Sequence, residues 1–189
     1  MATKQKLVKK KKKVWIQIEA PELFSNVSLG ETLVSDKESV INKSLTLNQG
    51  TFTNDIKKQN LLVKFKVDSL VDNKAKTKVS GLELTGSYIK RLVRRGKSKI
   101  EDSFIIVTQD GKKARIKPVL ITNMLANKSI LSKIRNNTKD KITELAKTKS
   151  FEDLFSLIVR GNVQKDLKSE LSKVYPLRYV DIKKFNLIK

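Results

Sequence analysis

Four of the seven arginines stand at Arg91, Arg94, Arg95 and Arg115, and five consecutive lysines fill Lys9, Lys10, Lys11, Lys12 and Lys13. The chemistry open to such side chains is the binding of phosphate. A guanidinium offers a planar fork of N–H donors that orients an oxyanion, whereas an ammonium acts as a mobile point charge. Lys90, Lys97 and Lys99 flank the arginine group, Lys112 and Lys113 precede Arg115, and Arg178, Lys183 and Lys184 lie near the C-terminus. Trp15, the only tryptophan, adjoins the lysine run. Stacking on a nucleobase would contribute roughly 1–3 kcal/mol there, and packing against the protein body is the alternative for an aromatic at a strand start.

Other chemistries are excluded by what the chain lacks. It contains no cysteine and no histidine, which removes thiolate metal sites, cysteine nucleophiles and the commonest general base. Asp/Glu-x-Lys, a spacing that nucleases use around a metal ion, occurs at Asp55/Lys57, Asp72/Lys74, Asp110/Lys112, Asp166/Lys168 and Asp181/Lys183. With 41 Lys+Arg in the chain, most of them lysine, composition alone produces about three such pairs by chance. Five therefore carry no signal. Glycine-rich phosphate loops and nucleophile elbows are absent too. The expectation is a protein without catalysis, cofactor or metal. No apolar run reaches the ~18 residues that span a bilayer, and no secretory leader is legible, so a cytoplasmic protein with no membrane partner is expected.

The balance of charge names the class of partner. Across 189 residues, 41 Lys+Arg oppose 19 Asp+Glu, a net charge of +22, while 39% of residues are hydrophobic. So apolar a chain can bury a core, and so cationic a surface repels itself unless a polyanion lies against it. Aromatics make up only 6% and the aromatic-rich signature of sheet-based readers of single-stranded RNA is missing, so contact through phosphates and shape fits better than reading of splayed bases.

The elements that must position these cations follow from periodicity. Residues 1–13 read as a basic arm, unfolded alone and ordering on a polyanion. Val14, Ile16 and Ile18 alternate against Trp15, Gln17 and Glu19 as a strand that Ala20-Pro21 breaks. Leu45 and Leu47 alternate before the punctuation of Asn48-Gln49-Gly50. Leu61, Val63, Phe65 and Val67, a turn at Asp72-Asn73, then Ala75, Thr77 and Val79 against lysines predict a hairpin with one apolar and one basic face. A second hairpin runs from Phe104 to Val107, turns at Asp110-Gly111 and returns from Ala114 to Ile121, with Pro118 marking an edge or a bulge. Between the hairpins, Tyr88, Ile89, Leu92 and Val93 recur at helical spacing from a Thr85 cap to Gly96, with Lys90, Arg91 and Arg94 on the opposite face. Beyond residue 127, Ile130, Ile134, Ile142 and Leu145 form a helical stripe. Ser150 to Asp153 resembles a capping box for a helix that Gly161 stops, and Val163, Leu167, Leu171 and Val174 mark another before Pro176. Leu177 to Ile188 can return as a strand.

The predicted fold class is α+β: an antiparallel sheet, open or closed into a barrel, with an inserted amphipathic helix and a helical C-terminal third. Behind the arm of residues 1–13, residues 14–189 are expected to form a single body, mostly β over 14–124 and mostly helical over 125–189.

At these residues the chain resembles the S3Ae family of small-subunit ribosomal proteins, in its archaeal form without the long tails of eukaryotic members. Trp15, Ile18, Ala20, Pro21 and Phe24, followed by Gly30-Glu31-Thr32, match the family's entry. Gly81 to Thr85 and Tyr88 to Arg95, with Ser98 and Ile100, form the most specific block. Val107-Thr108, Asp110-Gly111 and Arg115 match its hairpin; Tyr175 to Arg178, with Val180 and Ile182, match its C-terminal signature. Gly86-Ser87 departs from the charged pair usual in the family, and residues 125–134 are less basic than in relatives. The resemblance implies a structural component of the small subunit, on its platform near the messenger exit and the 3′ end of the small-subunit rRNA. The implied partners are that rRNA and neighbouring ribosomal proteins, with messenger RNA near the exit as a further candidate. No homo-oligomer is expected, and the setting is the cytoplasmic ribosome. A free single-stranded nucleic-acid binding module of OB type is the alternative, and it requires exposed aromatics interleaved with cations.

Overall fold

A computed structural model describes residues 12–53 and 55–188. Most of the basic arm, including Lys9, Lys10 and Lys11, lies outside them; Lys12 and Lys13 are exposed and lead into the first strand. The described chain divides into two compact units, one running to Leu45 with Phe65–Lys78, the other Thr46–Lys64 with the residues from Val79 onward.

In the first unit, β1 (Val14–Glu19) pairs antiparallel with β2 (Ser28–Val34) and parallel with the start of β5 (Lys74–Leu84), Gln17 facing Lys74. The expected alternation holds: Ile16 and Ile18 are buried and Trp15 is exposed. Ile16, Ile18, Val34, Val40, Val67 and Ala75 make one cluster, each large side chain contributing about 1.5–3 kcal/mol on burial. Pro21 leads into a 3-10 turn, Glu22–Phe24, which sets the Phe24 ring edge-on to Phe65 at 5.8 Å. Strand β2 was not legible. Val34 is its one buried residue, so no alternation announces it; its Gly30 takes a φ of 133°, open to glycine.

The hairpin of β4 (Leu61–Val71) and β5 turns at Asp72-Asn73 as expected and passes through both units. Strand β3 (Ser44–Asn48) pairs with β4. The punctuation expected at Asn48-Gln49-Gly50 instead opens a short helix, α1 (Gln49–Thr53). The cause is local: the Asn48 side-chain oxygen accepts the Gly50 N–H at 3.0 Å, an Asx turn that starts the helical bend.

In the second unit β8 (Lys113–Thr122) has neighbours on both edges. It pairs with β9 (Leu177–Leu187) on one, and with β7 (Phe104–Val107) and β6 (Lys99–Glu101) on the other. The returning C-terminal strand is thus β9, and its far edge takes Gly81, Leu82 and Glu83 of β5. Among the described residues no pairing closes the ladder on itself, so of the two predicted forms the open sheet is the one observed. Pro118 lies between the residues paired to β7 and those paired to β6, and the register against β9 slips between Lys117 and Pro118. It is a bulge inside the sheet, not an edge, because that gap requires no N–H from it.

Three helices follow: α3 (Lys128–Thr148), α4 (Phe151–Arg160) and α5 (Asn162–Leu171). The Ser150 hydroxyl accepts the Asp153 N–H at 3.2 Å and donates to its carboxylate at 2.7 Å, and Gly161 ends α4 at a φ of 84°. Phe151 of α4 stacks on Phe185 of β9 at 5.1 Å. The buried stripe of α3 is Ile134, Thr138, Ile142 and Ala146, with the Thr138 hydroxyl turned back to the Ile134 carbonyl at 2.7 Å.

Helix α2 (Gly86–Leu92) is shorter than predicted. Thr85 stands at its N-cap without a side-chain cap bond, and Val93 is extended. Continuing to Gly96 would set Lys90 against Arg94 and Arg91 against Arg95 at i, i+4, where like charges repel, and Ile89 is the helix's one buried anchor.

Gly81 marks a close approach: a Cβ there would meet the Phe185 carbonyl at 2.5 Å and the Asn186 Cα at 2.9 Å. Gly81→Ala is expected to cost about 1–3 kcal/mol through this overpacking, read from the urea midpoint. Because β4 and β5 run unbroken from one unit into the other, we expect residues 14–189 to unfold as one cooperative body. Calorimetric and van't Hoff enthalpies should agree, and two resolved heat-capacity peaks would instead separate the units.

Candidate nucleic-acid interface

A strongly cationic surface segment follows from how α2 is held at both ends. At its start, the Thr85 N–H donates to the Asn60 carbonyl at 2.9 Å, and Arg91 reaches the Asn60 side chain at 3.1 Å. The Arg91 guanidinium also lies 6.0 Å from the Tyr88 ring centre, a cation–π distance. Past the helix, Ser98 is tied to the end of β8: its N–H donates to the Thr122 hydroxyl at 2.9 Å, and its hydroxyl accepts the Ala126 N–H at 3.1 Å. The segment between these anchors carries Lys90, Arg91, Arg94 and Arg95, all exposed, and half-buried Lys97. Arg94 and Arg95 stand in the loop beyond Leu92, so their common placement with Lys90 and Arg91 comes from the two anchors and not from a helical wheel.

The other expected cations divide by what they touch. Lys113 and Arg115 are exposed on β8, Arg115 across from Ile105 of β7. Lys112 lies 3.9 Å from Asp110 and 5.9 Å from the Phe151 ring centre. Arg178 lies 5.4 Å from the ring centre of Tyr179. Lys99 and Lys183 converge on Glu101 at 2.9 and 3.1 Å. Lys184 reaches Glu83 at 3.4 Å, a carboxylate that Lys64 already holds at 2.7 Å. For Lys183 and Lys184 these partners were hidden in the sequence, since strand register brings them together, whereas Lys99 meets Glu101 two residues along the same strand. In the first unit Trp15 is 61% exposed and faces Leu33, itself 41% exposed, across the β1–β2 ladder.

Neighbouring charges set the two shared glutamates apart. At Glu83 partial burial opposes ionisation, but the Lys64 hydrogen bond and the charges of Lys64 and Lys184 outweigh it and hold the carboxyl below its usual range. At Glu101 the Lys99 hydrogen bond leads, burial opposes it, and Lys183 adds to it; the net direction is also downward.

Sequence reasoning missed the outer side of α3. Lys128, Lys133, Arg135 and Lys139 are exposed there and make no salt bridge among the described residues. The wheel alone did not separate them from the core, since at 100° per residue Arg135 falls about 20° from Ile142. It also missed the pairing of Tyr88 with Asp181, 93 residues apart, at 3.3 Å. Burial first, then the neighbouring Asp181, pushes the Tyr88 hydroxyl up to about 12.

An α+β scaffold that exposes arginines on an anchored loop, without acidic partners among the described residues, defines a basic surface suited to a polyanion. The chain belongs to the ribosomal S3Ae family, whose model matches residues 2–189. It is 36% identical over 187 residues to the small ribosomal subunit protein eS1 of Nanoarchaeum equitans, covering 99% of this chain and 94% of the relative. The eS1 protein of Halorubrum lacusprofundi is 34% identical, with 94% and 83% covered; that of Methanothermobacter thermautotrophicus is 30% identical, with 95% and 92% covered.

Because Glu83 and Glu101 ionise more readily when folded, their stabilisation is present above the unfolded carboxylate value near ~4.3 and is lost as pH falls through the lower folded values. The double variant Glu83→Gln/Glu101→Gln should show a shallower decline in stability on acidification below about pH 4.5, measured by urea unfolding at several pH values. Both pairs are partly exposed, so solvent screening limits the effect to about 1 kcal/mol each.

Proposed function

We propose that this protein is a structural constituent of the small ribosomal subunit that binds rRNA through phosphate contacts and catalyses nothing. The observation that carries the reading is the anchored loop with Arg94 and Arg95 exposed, in a chain of net charge +22 whose relatives are small-subunit proteins. Arg91, Arg94 and Arg95 clamp phosphates, with Lys90 and Lys97 beside them; Lys112, Lys113 and Arg115 form a second contact and Arg178 a third. The lysines of the arm, Lys9 to Lys13, thread between RNA segments, where closely spaced phosphates offset their mutual repulsion. Lys99, Lys183 and Lys184 contribute field more than direct contact, being shared with Glu101 and Glu83. Trp15, exposed beside the arm, is available for stacking.

The address follows from the resemblance: the platform near the messenger exit and the rRNA 3′ end, in cytoplasmic ribosomes, beside other ribosomal proteins and within reach of messenger RNA. The protein acts there as a single copy. The rival OB-type module finds little support, since among the described residues its interleaved exposed aromatics are represented on the large exposed apolar surface by Trp15 alone.

Arg94→Ala/Arg95→Ala should weaken binding to a small-subunit rRNA transcript and reduce the slope of log K against log salt by about 0.7–0.9 for each phosphate that is no longer neutralised. Filter binding across a salt series measures this, and an unchanged slope would remove the loop from the interface. A chain lacking residues 1–13 should keep its far-ultraviolet circular dichroism, because no core residue is removed, and bind the transcript more weakly.

A further inference from the structure

In the second unit, Asp181 departs from the way the other two strand acids are treated. Glu83 and Glu101 each take two lysines. Asp181, on β9, takes none among the described residues: its partner there is the Tyr88 hydroxyl, at 3.3 Å, near the outer limit for a hydrogen bond. In a chain with 41 Lys+Arg, a largely desolvated carboxylate left without a cation stands out. Burial pushes its pKa up, only partly offset by Tyr88, the kind of perturbation that collects at binding sites.

That carboxylate lies on the wall of a half-open cavity of about 230 Å³ within the second unit. Leu61, Leu82, Leu84 and Ile182 supply apolar wall, while Arg160 and Lys58, the latter 3.7 Å from Asp55, supply positive charge. Arg91 of the candidate interface touches two further lining residues, Asn60 and Tyr88, so the cavity adjoins the loop assigned to phosphates. Its volume falls below the ~300–1,000 Å³ of sites for drug-sized ligands and matches a single planar ring system.

We propose that this cavity receives the base of a nucleotide splayed out of the bound RNA, with guanine as the base it fits best. The inference rests on the RNA reading above and names what the Arg91 side of that interface recognises. Apolar walls accept the faces of a base, and Lys58, Arg91 and Arg160 accept the attached phosphate. Inside, Asp181 offers acceptors only, and an ionised carboxylate has lone pairs beyond the one that Tyr88 uses. Guanine sets N1–H and N2–H side by side, matching the two carboxylate oxygens. Adenine and cytosine place a lone pair beside their amino group, and uracil flanks its single N–H with two carbonyls; each of these repels a carboxylate.

The test titrates the full chain with 5′-GMP, AMP, CMP, UMP and inorganic phosphate, following the Tyr88 and Asp181 resonances by nuclear magnetic resonance. GMP should bind at least tenfold more tightly than UMP, and Asp181→Asn should abolish that preference. Arg160→Ala should weaken all four nucleotides together and keep their order. If Asp181→Asn fails to fold, the order in the parent chain and in Arg160→Ala still decides. Four nucleotides binding within twofold of one another, or a GMP preference surviving in Asp181→Asn, would overturn the proposal. Filter binding of a small-subunit rRNA transcript by the same samples separates the two readings. Retained transcript binding without a guanine preference removes the pocket alone, whereas no transcript binding by the parent chain removes the RNA reading itself.

Discussion

Mutual repulsion among 41 cations, opposed by only 19 acids, is the constraint on which the rest of this structure depends. Each acid on the sheet has the greatest effect where two lysines approach one another across strands. Glu83 lies between Lys64 of β4 and Lys184 of β9, and Glu101 between Lys99 of β6 and Lys183 of β9. The ladder can then carry lysines on successive strands without pushing itself apart. The cations that remain unneutralised, on the loop of Arg94 and Arg95, on β8 and on α3, are exposed, and water screens them until an anion arrives.

The same constraint explains why the cationic surface is held from outside itself. A helix continued through Arg95 would stack like charges along one side, so α2 stops at Leu92 and the chain leaves it extended. The orientation of Arg94 and Arg95 then depends on neighbours: Asn60 and Asp181 at one end, Thr122 and Ala126 at the other. A loop anchored at both ends presents guanidiniums with less conformational freedom to lose on binding than a free one. The pairing of Tyr88 with Asp181 joins this scaffold to a cavity whose chemistry differs from the open basic surface beside it.

Strong periodicity was legible wherever one face of an element meets a core. Ile16 and Ile18, the β4–β5 hairpin, the Ser150 cap, the Gly161 stop and the returning β9 could all be read because local geometry and burial agree. Elements that bury little were hidden. Strand β2 buries only Val34, β6 buries only Ile100, and the start of α1 turns on one Asx bond. The wheel that placed Arg94 opposite the apolar stripe of α2 failed because a propensity argument omitted repulsion between neighbouring turns.

The candidate site divides in the same way. Composition and the placing of arginines by themselves pointed to a polyanion as the class of partner, because net charge and residue type need no coordinates to be counted. Local patterns likewise determined the α+β class. Only the tertiary structure decided which cations are free and which are already shared, since Lys183 meets Glu101 across 82 residues of chain and Tyr88 meets Asp181 across 93. The β9 side of these pairings is set by strand register and by the bulge at Pro118, and a one-residue slip of β9 along β8 would turn Asp181 and Lys183 to the opposite face.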